Sequence, residues 1–385
     1  MAVSPHHRHQ SSLEGVISFS SQPPLGAERA RANAKFHRIV DHFKEAADGQ
    51  KKGPYNRPLL VRLTYEYARS QESKDIFLRA FFQAMDVQID GKNDIDFDTD
   101  ERLGSALTQF ANHLVDHFFL PLLASSNKTP QLSPAPNSAF MQVQGGGVPD
   151  FVGTPEQVTA LRQDCLIRDR HRCVISRRFD VKELEDREKI SGDQVTDDDG
   201  KPFEASHIFS RLEVAHILPH ALTSTEKGSE LSASKKAALD ILNMFDSGVI
   251  HLIEGSDIDR PRNAITLDHT LHYQFGRFKI FFEPVAGQQH TYQIRSFLSA
   301  RVTPGLPVQR TLFLTENRNI DPPSPRFLAI HCAIAHILHL SAAGDYIEKI
   351  LEDMEWKDTR ADGGTELGRL VGLRLSGWLD RAVAI

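Results

Sequence analysis

The stretch Arg262-Asn-Ala-Ile-Thr-Leu-Asp-His-Thr-Leu-His272 decides the fold. Residues 263–268, NAITLD, are apolar and β-branched and read as a short strand. Asp268 is a residue type that caps helices, and DHTLHYQFGRF after it reads as a short helix. Asn263 and His272 are therefore separated by one strand and the first turn of one helix. Upstream, LEVAHILPH (212–220) reads as another short strand and carries His216. A mostly helical segment that includes SASKKAALDILNMF joins the two strands. Downstream, FKIFFEPV and HTYQIRSFL read as two further strands, of aromatic or alternating character. From Pro325 onward the pattern is helical again, with a break at WKDTRADGGTE.

These residue types suit one kind of chemistry. Hydrolysis of a phosphodiester needs a water to lose a proton and a leaving oxygen to be stabilised. A neutral imidazole, with an ordinary pKa of about 6.5, can take the proton. A divalent metal held by imidazole and oxygen donors can stabilise the phosphate and the leaving oxygen. An Asn near the strand start can clamp the loop through its amide. The strand–helix half and the facing strand together have the order of a ββα-metal arrangement.

The pattern CVIS … EVAHILP … NAITLDHTLHYQFGRFKIFFEP resembles the HNH endonuclease superfamily. More closely, it is similar to the HNH domains of uncharacterised fungal proteins of about this length. The resemblance runs from about Leu161 to Pro284. It implies a ββα-metal core, a divalent cation (Mg or Zn, not distinguished) and nucleic acid as substrate, DNA ahead of RNA. By residue match it implies His216 as general base, Asn263 as the middle Asn and His272 as the metal-facing residue. His269, one turn before His272 on the same helix face, is a further candidate ligand.

Two positions depart from the family pattern. Many members place Asp or His immediately before the base histidine as a metal ligand, where this chain has Ala215. Many also place His, Asp or Lys one turn after the last motif residue, where this chain has Gly276. His216 as a metal ligand, with another residue as base, is therefore an alternative. So is a degenerate module that binds nucleic acid or protein without cutting it. Cys173-Val-Ile-Ser176 lacks the second cysteine of a CxxC knuckle, which argues against a structural zinc. His220 is placed at the site mouth, and His331, His336 and His339 on an apolar helix are read as core.

Nucleic-acid contact has a local candidate in RQDCLIRDRHRCVISRR, which carries Arg168, Arg170, Arg172, Arg177 and Arg178. Arg260, Arg262 and Arg277 bracket the site. The planar guanidinium fork suits phosphate. The alternative is a solvated face paired within the chain. The formal net charge of −6 means that binding would rest on such a patch and not on the global field.

The whole chain reads as a multidomain α+β protein. At 385 residues it exceeds what one compact core usually holds. Residues 1–25 read as a flexible tail, 26–125 as a helical region, 126–150 as a linker, 151–300 as the HNH-like domain and 301–385 as a helical region. DREKISGDQVTDDDGKPF is acidic and turn-rich and reads as an exposed excursion. The first residues lack the apolar core of a secretory signal, and no apolar run has the length of a membrane span. Three cysteines, an odd and sparse set, fit a reducing intracellular setting.

Overall fold

The structure is a computed structural model that describes residues 25–49, 53–89, 101–126, 155–224, 231–356 and 367–378. The expected tail (apart from Leu25), the expected linker (apart from Ser126), Thr154 and the break at 357–366 lie outside the described residues. The chain alternates helices and short strands, an α+β composition. The helices are α1 (Arg29–Gly49), α2 (Arg57–Glu66), α3 (Gln71–Met85), α4 (Glu101–Leu114), α5 (Leu120–Ser126), α6 (Pro155–Arg168), α7 (Val181–Ser191), α8 (Ala233–Asn243), α9 (His269–Gly276), α10 (Pro325–Leu340), α11 (Ala343–Trp356) and α12 (Leu367–Leu375). The strands are β1 (Phe179–Asp180), β2 (Phe209–Ser210), β3 (Leu212–His216), β4 (Ala264–Asp268), β5 (Ile280–Pro284), β6 (Thr291–Ser296) and β7 (Val308–Thr311).

The chain divides into two compact units that interleave along the sequence. The first comprises residues up to Leu120 together with Lys236–Ile250 and Ile337–Thr365. Its helices bury an aromatic cluster in which Phe36 meets Phe77 and Phe81 edge-on, and Phe110 meets both of the latter. Within the expected helical region, α2 and α3 are separate helices, and Ser70 caps α3 by accepting from the Ser73 amide. Between α4 and α5 the backbone widens into a π-turn at Val115–Phe119.

The second unit comprises Pro121–Lys235, His251–His336 and Glu366–Ile385. Its centre is the antiparallel pair β3–β4, in register from Leu212 opposite Asp268 to His216 opposite Ala264. Strand β4 passes directly into α9, whose N-cap is Asp268: Oδ1 accepts from the Leu271 amide at 3.0 Å. Strand, strand and helix thus follow in the expected order. Helix α6 lies on one face of the pair, where Leu161 and Cys165 bury against Val214 and Ala264. Strands β5, β6 and β7 form an antiparallel sheet; β7 was not expected from the sequence pattern. Within the acidic stretch after β1, residues 181–191 form α7, none of which is buried.

Behind α9, the His331 ring of α10 stacks on Phe275 at 3.9 Å and on Phe278 at 4.4 Å. Its Nε2–H donates to the Phe275 carbonyl at 3.1 Å, and burial lowers its pKa to about 3. No single helix among the described residues is long and apolar enough to cross a membrane.

Candidate active site

Four short elements bring the polar residues of the second unit together. The end of β3 supplies His216, and the following turn supplies His220. The loop before β4 supplies Asp259 and Asn263. Helix α9 supplies His269 and His272.

Asn263 is fully buried and acts as a cross-tie. Its Oδ1 accepts from the Leu218 amide at 2.9 Å. Its Nδ2 donates to the Leu218 carbonyl at 3.0 Å and to the Ile258 carbonyl at 2.9 Å. Its own carbonyl accepts from the Ile217 amide at 2.8 Å. One side chain therefore locks the turn that carries His216 and His220 against the loop that carries Asp259. An amide fits this place because it offers acceptor and donors at once.

Asp259 receives both histidines on a single oxygen. His216 Nε2 lies 2.9 Å and His220 Nδ1 lies 2.8 Å from Asp259 Oδ1. An ionised carboxylate only accepts, so each of those nitrogens carries its hydrogen. Burial alone would raise the Asp259 carboxyl, but the hydrogen bonds from the two imidazoles outweigh it and hold it well below the usual range. Burial pushes the His216 pKa down; the Asp259 hydrogen bond opposes this, while His220 and His272 add to it. His216 is therefore neutral at pH 7, with a lone pair on Nδ1. That atom is buried and has no hydrogen-bond partner among the described residues.

A second carboxylate–imidazole pair lies on α9. Strand alternation puts Glu213 and Ala215 on one face of β3, opposite to Leu212, Val214 and His216. Glu213 Oε2 lies 2.6 Å from His272 Nδ1, and Glu213 Oε1 lies 2.9 Å from His269 Nδ1. The hydrogen bond from His272, helped by His269, holds the Glu213 carboxyl at about 2 despite partial burial. His272 is buried and His269 is exposed, with side-chain exposures of 6% and 77%. The Nε2 of His272, like the Nδ1 of His216, is buried without a partner.

The expected trio thus falls into distinct settings. Asn263 clamps backbone, while His216 and His272 each rest on a carboxylate and keep one ring nitrogen unpartnered. Asp259 and Glu213 were both missed by sequence reasoning. For Glu213 the signal was a charge on a strand whose other residues are apolar or histidine, three places before His216. Asp259 carried no local signal, since its partner is 43 residues away in the chain.

The residues fit a divalent cation. Among the described residues, His216, His220 and Asp259 form the group of metal-ligating side chains whose donor atoms all lie within 4.8 Å of one another. Two imidazoles and a carboxylate suit zinc or a similar transition metal better than magnesium, which prefers oxygen.

The arginine tract is placed differently from its expected role in nucleic-acid contact. Arg168 is fully buried: its guanidinium grips Asp169 at 2.9 and 2.8 Å and donates to the carbonyls of Pro261 (2.7 Å) and Ala264 (2.9 Å). It ties α6 to the start of β4 and has no face for a phosphate. Arg170 pairs with Asp199, Arg172 pairs with Asp197 at 2.8 Å, and Arg187 pairs with Asp198 at 2.6 Å. The acidic run is therefore the counter-charge of the basic one. Arg177 lies over the Phe313 ring and donates to the Thr311 carbonyl; burial lowers its pKa to about 10. Arg262 pairs with Asp257 at 2.8 Å, and Arg277 lies over Tyr273. Arg178 and Arg260 present exposed side chains, the latter beside Asp257 at 2.6 Å.

The strand–strand–helix unit thus carries two carboxylate-oriented imidazoles and a buried Asn clamp. Residues 173–283 match the family model described as HNH endonuclease, a match that begins at Cys173, ends within β5 and takes in every residue of both carboxylate–imidazole groups. Neither the curated proteins nor the solved structures gave a match.

Proposed function

We propose that this protein is an HNH-type endonuclease that hydrolyses phosphodiester bonds in nucleic acid with a divalent cation, acting inside the cell. The observation that carries this reading is the pair of buried imidazole nitrogens without partners, His216 Nδ1 and His272 Nε2, each on a ring oriented by a carboxylate. A bound cation would supply charge to stabilise the phosphate and the leaving oxygen. The chain's own residues do the rest. A water oxygen bonds to phosphorus, the bond from phosphorus to the leaving 3′ oxygen breaks, and the water's proton goes to an imidazole nitrogen. The leaving oxygen takes a proton from solvent. Asp259 and Glu213 keep the rings in the tautomers that leave those nitrogens free to act. Asn263 holds the two loops in register. Arg178 and Arg260, both exposed, are the cations available to the nucleic-acid backbone.

The test is cleavage of supercoiled plasmid and of single-stranded RNA by the full chain with Mg²⁺, Mn²⁺ or Zn²⁺. The wild type cuts, and His216→Ala and His272→Ala each lose cutting while staying folded. Retained cutting in both variants overturns the reading. A second reading, binding without cleavage, draws on Ala215 and Gly276, which offer no ligand beside His272, and on the 2% side-chain exposure of His216. It predicts a salt-sensitive gel shift with intact DNA under every metal.

A further inference from the structure

We infer that Arg177, in the turn at residues 173–178, and Arg310, in β7, together clamp one backbone phosphate of the nucleic acid. This rests on the nucleic-acid reading above and adds two half-buried arginines to the exposed Arg178 and Arg260. Arg310 lies beyond residue 283, where the family match ends.

The counter-charges single out the pair. Arg168, Arg170 and Arg172 each have an aspartate, namely Asp169, Asp199 and Asp197. Among the described residues no carboxylate pairs with Arg177 or Arg310. Arg177 donates from Nη2 to the Thr311 carbonyl and lies over the Phe313 ring at 4.1 Å. Arg310 donates from Nε to the Ile175 carbonyl at 2.8 Å and from Nη1 to the Gln309 carbonyl at 3.2 Å. These acceptors are neutral, so both charges stand without a counter-ion.

The two cations are neighbours. Arg310 reaches back to Ile175 while Arg177 reaches forward to Thr311, so turn and strand are tied twice. Burial lowers the Arg177 pKa, and repulsion from Arg310 lowers it further. Asp169 acts in the opposite sense, but both of its oxygens are taken by Arg168.

Arg177 carries two further costs. Its Nη1 is buried without a hydrogen-bond partner among the described residues, and its φ is +64°, in the left-handed region. A strained backbone, an unsatisfied donor and a like-charged neighbour in one residue mark a ligand site. A phosphate answers two of these: its charge cancels the repulsion, and its oxygens accept from guanidinium forks. The Phe313 ring, which Arg170 also covers at 5.1 Å, keeps the Arg177 fork in place.

The pair is also well placed. Strand β7 is the edge of its sheet, with Gln309 and Thr311 exposed on either side of Arg310. Ser176, next to Arg177, donates to Asp268 Oδ2 at 2.9 Å, and Asp268 caps α9, the helix of His272. A phosphate in the clamp therefore has a fixed position relative to that helix.

The experiment measures binding of the full chain to a short fluorescein-labelled DNA duplex, and to RNA of the same sequence, by anisotropy. EDTA is present to prevent cutting, and KCl is varied. Arg177→Gln and Arg310→Gln each weaken binding about 10-fold, the effect of losing a charge-assisted hydrogen bond. The loss is the same for unrelated sequences, because a phosphate contact carries no base information. In the double variant the slope of log K against log salt falls by about 1 in total, because both arginines hold one phosphate. If Arg177→Gln melts early, Arg177→Lys, which keeps the charge and loses the fork, takes its place and binds more weakly than the wild type. An unchanged slope in the double variant overturns the clamp, even with a lowered melting temperature, since a purely structural tie behaves that way. A fall of about 2 also overturns it, because the arginines then serve separate phosphates. So does a wild type that binds neither nucleic acid. If the wild type cuts and the double variant binds as it does, the clamp fails and the hydrolytic reading stands. If the wild type binds through the pair and cuts under no metal, the hydrolytic reading fails and the clamp stands.

Discussion

Replacing Asn263 with Ala removes an amide from a fully buried position and strips three backbone groups of this partner: the Leu218 N–H, the Leu218 carbonyl and the Ile258 carbonyl. Each buried polar group left without a partner costs about 1–3 kcal/mol, so the loss expected after partial relaxation is about 3–6 kcal/mol. That is a large share of the about 5–15 kcal/mol that holds a domain together. Asn263→Asp is expected to be no better. It keeps an oxygen for the Leu218 amide but turns a negative charge toward two carbonyl oxygens where Nδ2 had donated to both. Urea unfolding measures the loss, and hydrogen exchange locates it, because the Leu218 amide is bonded to the side chain removed. Exchange at Leu218 should accelerate to the limit set by the loop, while amides within β3 and β4 accelerate only as far as global stability falls. A stability change below about 0.5 kcal/mol, the size typical of surface substitutions, with Leu218 still protected, would refute the clamp.

Two further outcomes follow from buried groups away from the candidate ligands. Above pH 6.5 His331 is neutral folded or unfolded; below it the unfolded chain takes a proton that the folded ring, with its pKa of about 3, refuses. Stability therefore falls by about 1.4 kcal/mol per pH unit between pH 6.5 and 3. His331→Phe, which keeps a ring between Phe275 and Phe278, should gain about 2 kcal/mol on the wild type between pH 7 and pH 5; parallel stability curves would refute this. Arg168→Met leaves Asp169 buried without its counter-charge and should cost about 3–5 kcal/mol, with Arg168→Lys a poor substitute for the two-pronged grip. Wild-type stability with weakened DNA binding would return Arg168 to the nucleic-acid role expected from its tract.

What could be read in the sequence was what local rules determine. Short apolar runs marked β3 and β4, and Asp268 marked the start of α9, because strand character and a helix cap are set by neighbours in the chain. The pairing of β3 with β4 followed from their order and the buried character of both. The roles of charged residues were harder, because whether a charge faces solvent, a partner or a ligand is settled by tertiary contacts. Arg168 and Arg178 look alike in RDRHRCVISRR, yet one is sealed under β4 and the other is exposed. The difference lies in helix register: Arg168 sits one turn after Cys165 on the buried side of α6, and its neighbour Asp169 accepts from the Thr266 amide of β4. The acidic excursion is exposed as expected at Asp198 and Asp199, and in addition Asp197 and Asp199 pair with Arg172 and Arg170 of the preceding tract.

The same limit explains why the carboxylates of the site were overlooked while its histidines were found. A histidine in a strand or helix of this order carries meaning from its type alone, whereas Asp and Glu are common on any surface. Asp259 becomes informative only when the chain folds it back onto His216 and His220, and Glu213 only when α9 lays two imidazoles across it. Ala215 and Gly276 look like losses if the ligands are sought in the helix. His216, His220 and Asp259 form a group of possible donors at the end of β3 that includes neither small residue.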